Sequence, residues 1–152
     1  MSNRKRFVII LSILFSLFIG YNLFSSAKTL SKVSPRENDL NMLSRIIYAE
    51  ARKEPYEGQV AVAAVVLNRV KNPSFPNTIS GVIYQAGAFD AVQDGQFNLT
   101  PNDTAKRAAA DALNGWDPSK GAIYYFNPNT TTNKWIWSRP MTITIGRYRF
   151  CK

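Results

Sequence analysis

The 152-residue chain has no histidine and a single cysteine, Cys151. Without histidine there can be no Ser/His/Asp or Cys/His nucleophile system and no His-ligated zinc site of the usual kind. One cysteine rules out an internal disulfide. Any hydrolytic chemistry here has to run on carboxylates, hydroxyls or amines. Acidic side chains are scarce too, 10 against 19 basic ones, for a formal charge of +9. Charge of either sign is missing altogether from Phe7 to Ala27, just after the basic cluster Arg4, Lys5 and Arg6. A basic start followed by a long apolar run predicts a secretion signal or an N-terminal membrane anchor over residues 1–27. Ser25 and Ala27 stand at cleavage-site spacing, yet the run is also long enough to span a bilayer. Cleavage and retention both stay open, and either way the remainder is exported. That remainder is still basic, which suits an anionic partner such as a cell wall or a membrane surface. Export argues against nucleic acid.

Residues 28–38, KTLSKVSPREN, are polar with one proline and predict a linker, leaving 39–152 as one domain. A helix is expected from about Asp39 to Arg52, capped by Asn38 or Asp39. Pro55 suits the first turn of a second helix running to about Val70. That second helix is apolar nearly all round and should be the buried centre. ISGVIYQ predicts a short helix, and NDTAKRAAADALN another, stopped at Gly115. Between them AGAFDAVQDGQFNLTPND is irregular and long enough to suggest function. The aromatic runs AIYYFNP and KWIWS, then MTITIGRYRFCK, read as strands. Helices first and a small β region last predict an α+β fold.

One residue breaks the pattern. At 100° per residue, Glu50 lies about 20° from Leu43, about 40–60° from Ile46 and Ile47, and about 80° from Leu40. A carboxylate in the middle of an apolar stripe costs several kcal/mol unless paired or neutralised. Three accounts compete: an ion pair with a buried cation such as Arg69, a place where the stripe opens to water, or a general acid whose pKa is raised by desolvation. The third suits glycosidic bond cleavage, in which an acid protonates the leaving oxygen. Asp90, Asp94, Glu54 and Glu57 are candidates for a second carboxylate, and a single-acid mechanism is equally open. Sugar binding also needs stacking surfaces and amides. Trp135 and Trp137, on one side of a strand by the period of two, with Tyr125, Asn127, Gln93, Asp94 and Gln96, are candidates to line a glycan groove. The competing account places the aromatics in the core.

Four stretches together, IIYAEARKEPYEGQVAVAAVVLNRV, AVQDGQF, YYFNPNTTTNKWIWSRP and IGRYRF, resemble the spore cortex-lytic enzymes, the SleB/CwlJ-type cell wall hydrolases of spore-forming bacteria. The resemblance covers roughly Leu40 to Cys151 and is closer to the SleB type, given YAEAR and the export segment. It implies a lytic transglycosylase that cuts peptidoglycan between N-acetylmuramic acid and N-acetylglucosamine, leaves 1,6-anhydro ends, uses no cofactor or metal, and acts on spore cortex at germination. The family's catalytic glutamate is that of the YAEA motif, here Glu50. The fold it implies is distantly like lysozyme-type transglycosylases. A regulatory protein partner in the spore is a further expectation. The chain departs from the family pattern in three places. SleB-type proteins usually carry a peptidoglycan-binding domain where this chain has the short linker. Tyr148 stands where members often have histidine, so that position is not an essential acid or base here. The first half of GAFDAVQDGQF also varies. Two alternatives stay in view at this stage: a water-using muramidase with Asp94 as second carboxylate, and a non-catalytic, membrane-tethered wall-binding module. A zinc amidase is disfavoured by the absence of histidine.

Overall fold

The computed structural model describes residues 34–152. The predicted export segment and the predicted linker up to residue 33 lie outside the described residues. Helix α1 (Pro35–Ala51) starts earlier than the sequence suggested, because Ser34 is its cap and accepts from the Glu37 amide. The signal was present: S-P-R-E has the Ser-x-x-Glu spacing of a capping box with proline at the first helical position. Residues 35–38 are therefore helix and not linker.

Pro55 caps α2 (Tyr56–Lys71). As its composition predicts, α2 is buried on all sides, and Val60 to Val66 are almost wholly shielded from water. One face, with Val60, Ala63 and Val66, packs against α1, the short helix α3 (Ile79–Ile83) and α5 (Asp103–Leu113). The other face, with Ala61, Val62 and Val65, packs against Phe150, Ile145 and Ala122 from the sheet region. The small Ala105, Ala108, Ala109 and Ala112 of α5 are its buried face. The expected start of α5 holds, with Asn102 as cap, and Gly115 follows its end at φ 105°. The long irregular stretch contains one short helix, α4 (Asp90–Gln93), and a 3₁₀ turn at Gln96–Asn98.

The sheet has three antiparallel strands: β1 (Tyr124–Phe126), β2 (Met141–Ile145) and β3 (Tyr148–Cys151), in the order β1-β3-β2. The α+β expectation is met. One strand is corrected: KWIW is a helical turn, α6 (Lys134–Trp137), begun by the Asn133 side chain accepting from the Trp135 amide. A run of four apolar residues does not distinguish strand from helix by composition, and the asparagine cap decides it.

The β2–β3 hairpin turns through two residues, Gly146 and Arg147. Gly146 has φ 58°, suited to the glycine-first hairpin turn. A side chain there would run into Pro55 Cδ and the Glu54 carboxylate. The turn is clamped to the α1–α2 junction by Glu54. Its buried carboxylate accepts from the Arg147 backbone amide at 2.9 Å and from Nε at 2.7 Å, with Nη2 at 2.6 Å. The carboxylate is almost fully buried while the arginine is about half in water. Arg147→Ala should therefore cost about 2 kcal/mol, less than the roughly 3–5 kcal/mol of a wholly buried pair. The expected outcome is a lower urea midpoint with an unchanged slope.

Candidate active site

Leu43, Ile46 and Ile47 are fully buried, as the wheel predicts. Glu50 lies in the last turn of α1 and is half-buried where the stripe runs out beneath the sheet and α4. The last carbonyls of a helix have no partner within it. The Glu50 carbonyl receives one from the Tyr148 hydroxyl at 2.8 Å. The Glu50 carboxyl receives the Tyr125 hydroxyl on Oε2 at 2.9 Å. The two tyrosine rings pack against each other with centroids 5.0 Å apart. One glutamate is thus held at backbone and side chain by two strands of the sheet.

Burial raises the Glu50 pKa above its ordinary value of 4.5. The Tyr125 hydroxyl and the Ala91 amide pull the other way, and the charges of Asp90 and Asp94 add to the rise. Burial also lifts Tyr125 far above the ordinary tyrosine value and Tyr148 above it, so both hydroxyls keep their protons and act as donors. Arg69 does not pair with Glu50. Its Nε donates to the Ile123 carbonyl at 2.8 Å, and its guanidinium lies 5.3–5.7 Å from the rings of Phe75, Phe89 and Tyr124. Burial lowers the Arg69 pKa, while Tyr125, Tyr124 and Glu50 act to raise it.

The structure brings some of the predicted residues together and separates others. Arg52 follows α1 directly, and its Nη2 donates to Gln96 Oε1 at 3.0 Å. Gln96 in turn donates to both Asp94 oxygens, from its amide at 3.0 Å and from Nε2 at 2.8 Å. These bonds hold Asp94 below its ordinary pKa and fasten the loop beside Glu50. Gln93 is exposed at the end of α4. Asn127 is spent on a turn, its Oδ1 accepting from the Asn129 amide at 3.0 Å. Trp135 and Trp137 do not share a face with Tyr125. They stack on Tyr124 and Phe126, which alternate with Tyr125 along β1 and so point to its other side. Of the other carboxylates, Glu54 is committed to Arg147, and Glu57 and Asp90 are exposed.

Sequence reasoning identified Tyr148 only as a departure from a pattern and missed its bond to Glu50. Period-two alternation in Tyr148-Arg149-Phe150 was the available signal, since Tyr148 and Phe150 both pack on Tyr125.

Comparison with known proteins bears on this geometry. Residues 53–151 match the family described as Cell Wall Hydrolase, a span that begins three residues after Glu50. The spore cortex-lytic enzyme of Bacillus cereus is 60% identical over 116 residues, covering 76% of this chain and 45% of that protein. This chain thus spans less than half the length of that relative. Cell wall hydrolase CwlJ of Bacillus subtilis is 33% identical over 119 residues, covering 74% of this chain and 83% of that protein. The solved catalytic domain of the germination-specific lytic transglycosylase SleB from Bacillus anthracis superposes with a TM-score of 0.73 at 59% identity, covering 80% of this chain and 98% of that one.

A folded carboxyl with a raised pKa holds its proton more tightly than the unfolded one does. Stability conferred by the proton is then lost as pH rises from 4.5 through the folded value. Glu50→Gln has no such loss. Its melting temperature relative to wild type should climb with pH across that window and then level off, staying within a few degrees. Calorimetric melts from pH 4 to 8 check this, and a pH-independent difference would contradict the raised pKa.

Proposed function

The chain belongs to the cell wall hydrolase family, and from that premise we propose that it is a peptidoglycan lytic transglycosylase with Glu50 as its acid and base. The observation that carries the reading is a carboxyl at the end of an apolar stripe, raised in pKa by burial and held by the Tyr125 hydroxyl at 2.9 Å. In its protonated form Glu50 gives its proton to the oxygen bridging N-acetylmuramic acid and N-acetylglucosamine, and the C1–O bond breaks. The muramoyl 6-hydroxyl then attacks C1 and returns a proton to the carboxylate, which closes a 1,6-anhydro ring and restores the acid. Tyr125 fixes the carboxyl, and Tyr148 fixes the backbone that carries it. Arg52, Gln96 and Asp94 shape the adjoining loop, and Gln93 is exposed toward substrate.

A water-using muramidase needs a second carboxylate free to activate water. Asp94 has both oxygens on Gln96, and Glu54 is clamped to Arg147. That commitment counts against Asp94 or Glu54 as the second carboxylate and so favours the single-acid route over a muramidase that uses either. The biological setting we infer is the spore cortex at germination. It rests on the names carried by the B. cereus and B. anthracis relatives. Residues 1–27 would export the folded body or tether it outside the cytoplasm, with peptidoglycan strands as its partner.

Glu50→Gln should reduce muropeptide release from spore sacculi by about a thousandfold or more. Wild-type products should be lighter than reducing-end products by one water, read by mass spectrometry. Reducing ends would replace this mechanism with the hydrolytic one. Tyr125→Phe removes a hydrogen bond that favours the ionised carboxyl. Its alkaline limb of kcat against pH should therefore move to higher pH, with kcat down roughly tenfold or more.

A further inference from the structure

The face of β1 that does not look at Glu50 is built for contact. Trp135 meets Tyr124 edge-on with centroids 5.2 Å apart, and Trp137 meets Phe126 at 5.0 Å. Ile136 between them is buried and pins the helical turn, and Asn133 caps it. The two indoles stand on a fixed base, yet remain 50% and 45% exposed. A guanidinium lies over each: Arg139 is 5.2 Å from the Trp135 ring centroid and Arg149 4.9 Å from that of Trp137, so each indole carries a cation on one face. Arg139 Nε donates to the Lys152 main-chain oxygen at 2.7 Å, while the Arg149 guanidinium has no hydrogen-bond or ion-pair partner among the described residues. After Asp117 the sequence holds six lysines and arginines and no acidic residue. Exposed, preorganised aromatic surfaces suit the CH faces of sugar rings, and a guanidinium without a partner, as at Arg149, suits a carboxylate.

We propose that this face is a second glycan-binding surface, which grips carboxylate-bearing wall glycan without cleaving it. The inference rests on peptidoglycan being the substrate and places a second grip on that polymer away from Glu50. Two tryptophans two residues apart on one rigid turn offer two stacking faces. The arginines on the indoles, with Lys134 on the same turn, meet the lactyl and peptide carboxylates of the strand. On an insoluble polymer such a grip keeps the enzyme at high local substrate concentration between cuts.

The test uses the full chain. In a Glu50→Gln background, W135A/W137A should bind purified sacculi at least about tenfold more weakly in co-sedimentation. W135F/W137F, which keeps aromatic faces, should retain most of the binding, so a merely unfolded alanine variant is recognised. R149Q should weaken binding and flatten its salt dependence. With Glu50 intact, W135A/W137A should keep its rate on short soluble glycan fragments within about twofold and lose about tenfold on intact sacculi. Unchanged sacculus binding would overturn the proposal. So would equal rate losses on both substrates, which would put the indoles in the cleft, or lost affinity for anionic phospholipid vesicles with sacculus binding kept. A wild-type chain inactive on both substrates would instead defeat the reading of the Glu50 site, and sacculus binding by the Glu50→Gln chains would still judge this surface.

Discussion

Everything at the candidate site depends on the hydrogen bond from Tyr125 to Glu50. It joins the end of the first helix to an edge strand 75 residues later. On the helix side the carboxyl is partly stripped of water, which favours its proton; on the sheet side a hydroxyl steadies the ionised form. In the proposed reaction the carboxyl first gives and then takes a proton, which needs both states within reach. Burial alone would hold the proton too firmly, and the hydroxyl alone would release it too readily. Their opposition leaves the pKa raised, with desolvation the larger influence.

Two further bonds keep that geometry from drifting. Tyr148 ties down the Glu50 carbonyl, and Glu54 ties the Gly146–Arg147 turn to the helix junction. Because Tyr148 follows directly after that turn, the Glu54 clamp positions the strand that positions the acid. The interior behind is a single helix, α2, wedged between a helical layer and a sheet. A helix buried all round leaves little room for the two layers to slide.

Much of this was legible in order along the chain. The apolar stripe of α1, the all-apolar α2, the start and stop of α5 and the glutamate out of place each follow from local periodicity or capping. What was not legible is pairing across distance. The bonds from Tyr125, Arg147 and Tyr148 cross 75, 93 and 98 residues. Asp94 is engaged by Gln96 only two residues on, a local bond that the Asp-Gly-Gln order could have signalled, whereas nothing within a window of a dozen residues distinguishes Glu54, clamped by Arg147, from a catalytic partner. The tryptophans show a different failure. Spacing of two puts Trp135 and Trp137 on one side of a strand, but on the helical turn they stand about 200° apart around the inward Ile136 and meet the same side of β1 only through Tyr124 and Phe126. Tyr125 was grouped with them although strand alternation sends it the other way.

The sheet order carries one more implication. β3 is the last of the described elements along the chain, yet it lies between the other two strands. Without it, β1 and β2 have no strand to pair with, and the end of α1 lacks the tether from Tyr148. The geometry of the candidate site is therefore complete only when β3 is paired, because β3 carries both the inner edge that β1 pairs with and the Tyr148 hydroxyl that meets the Glu50 carbonyl.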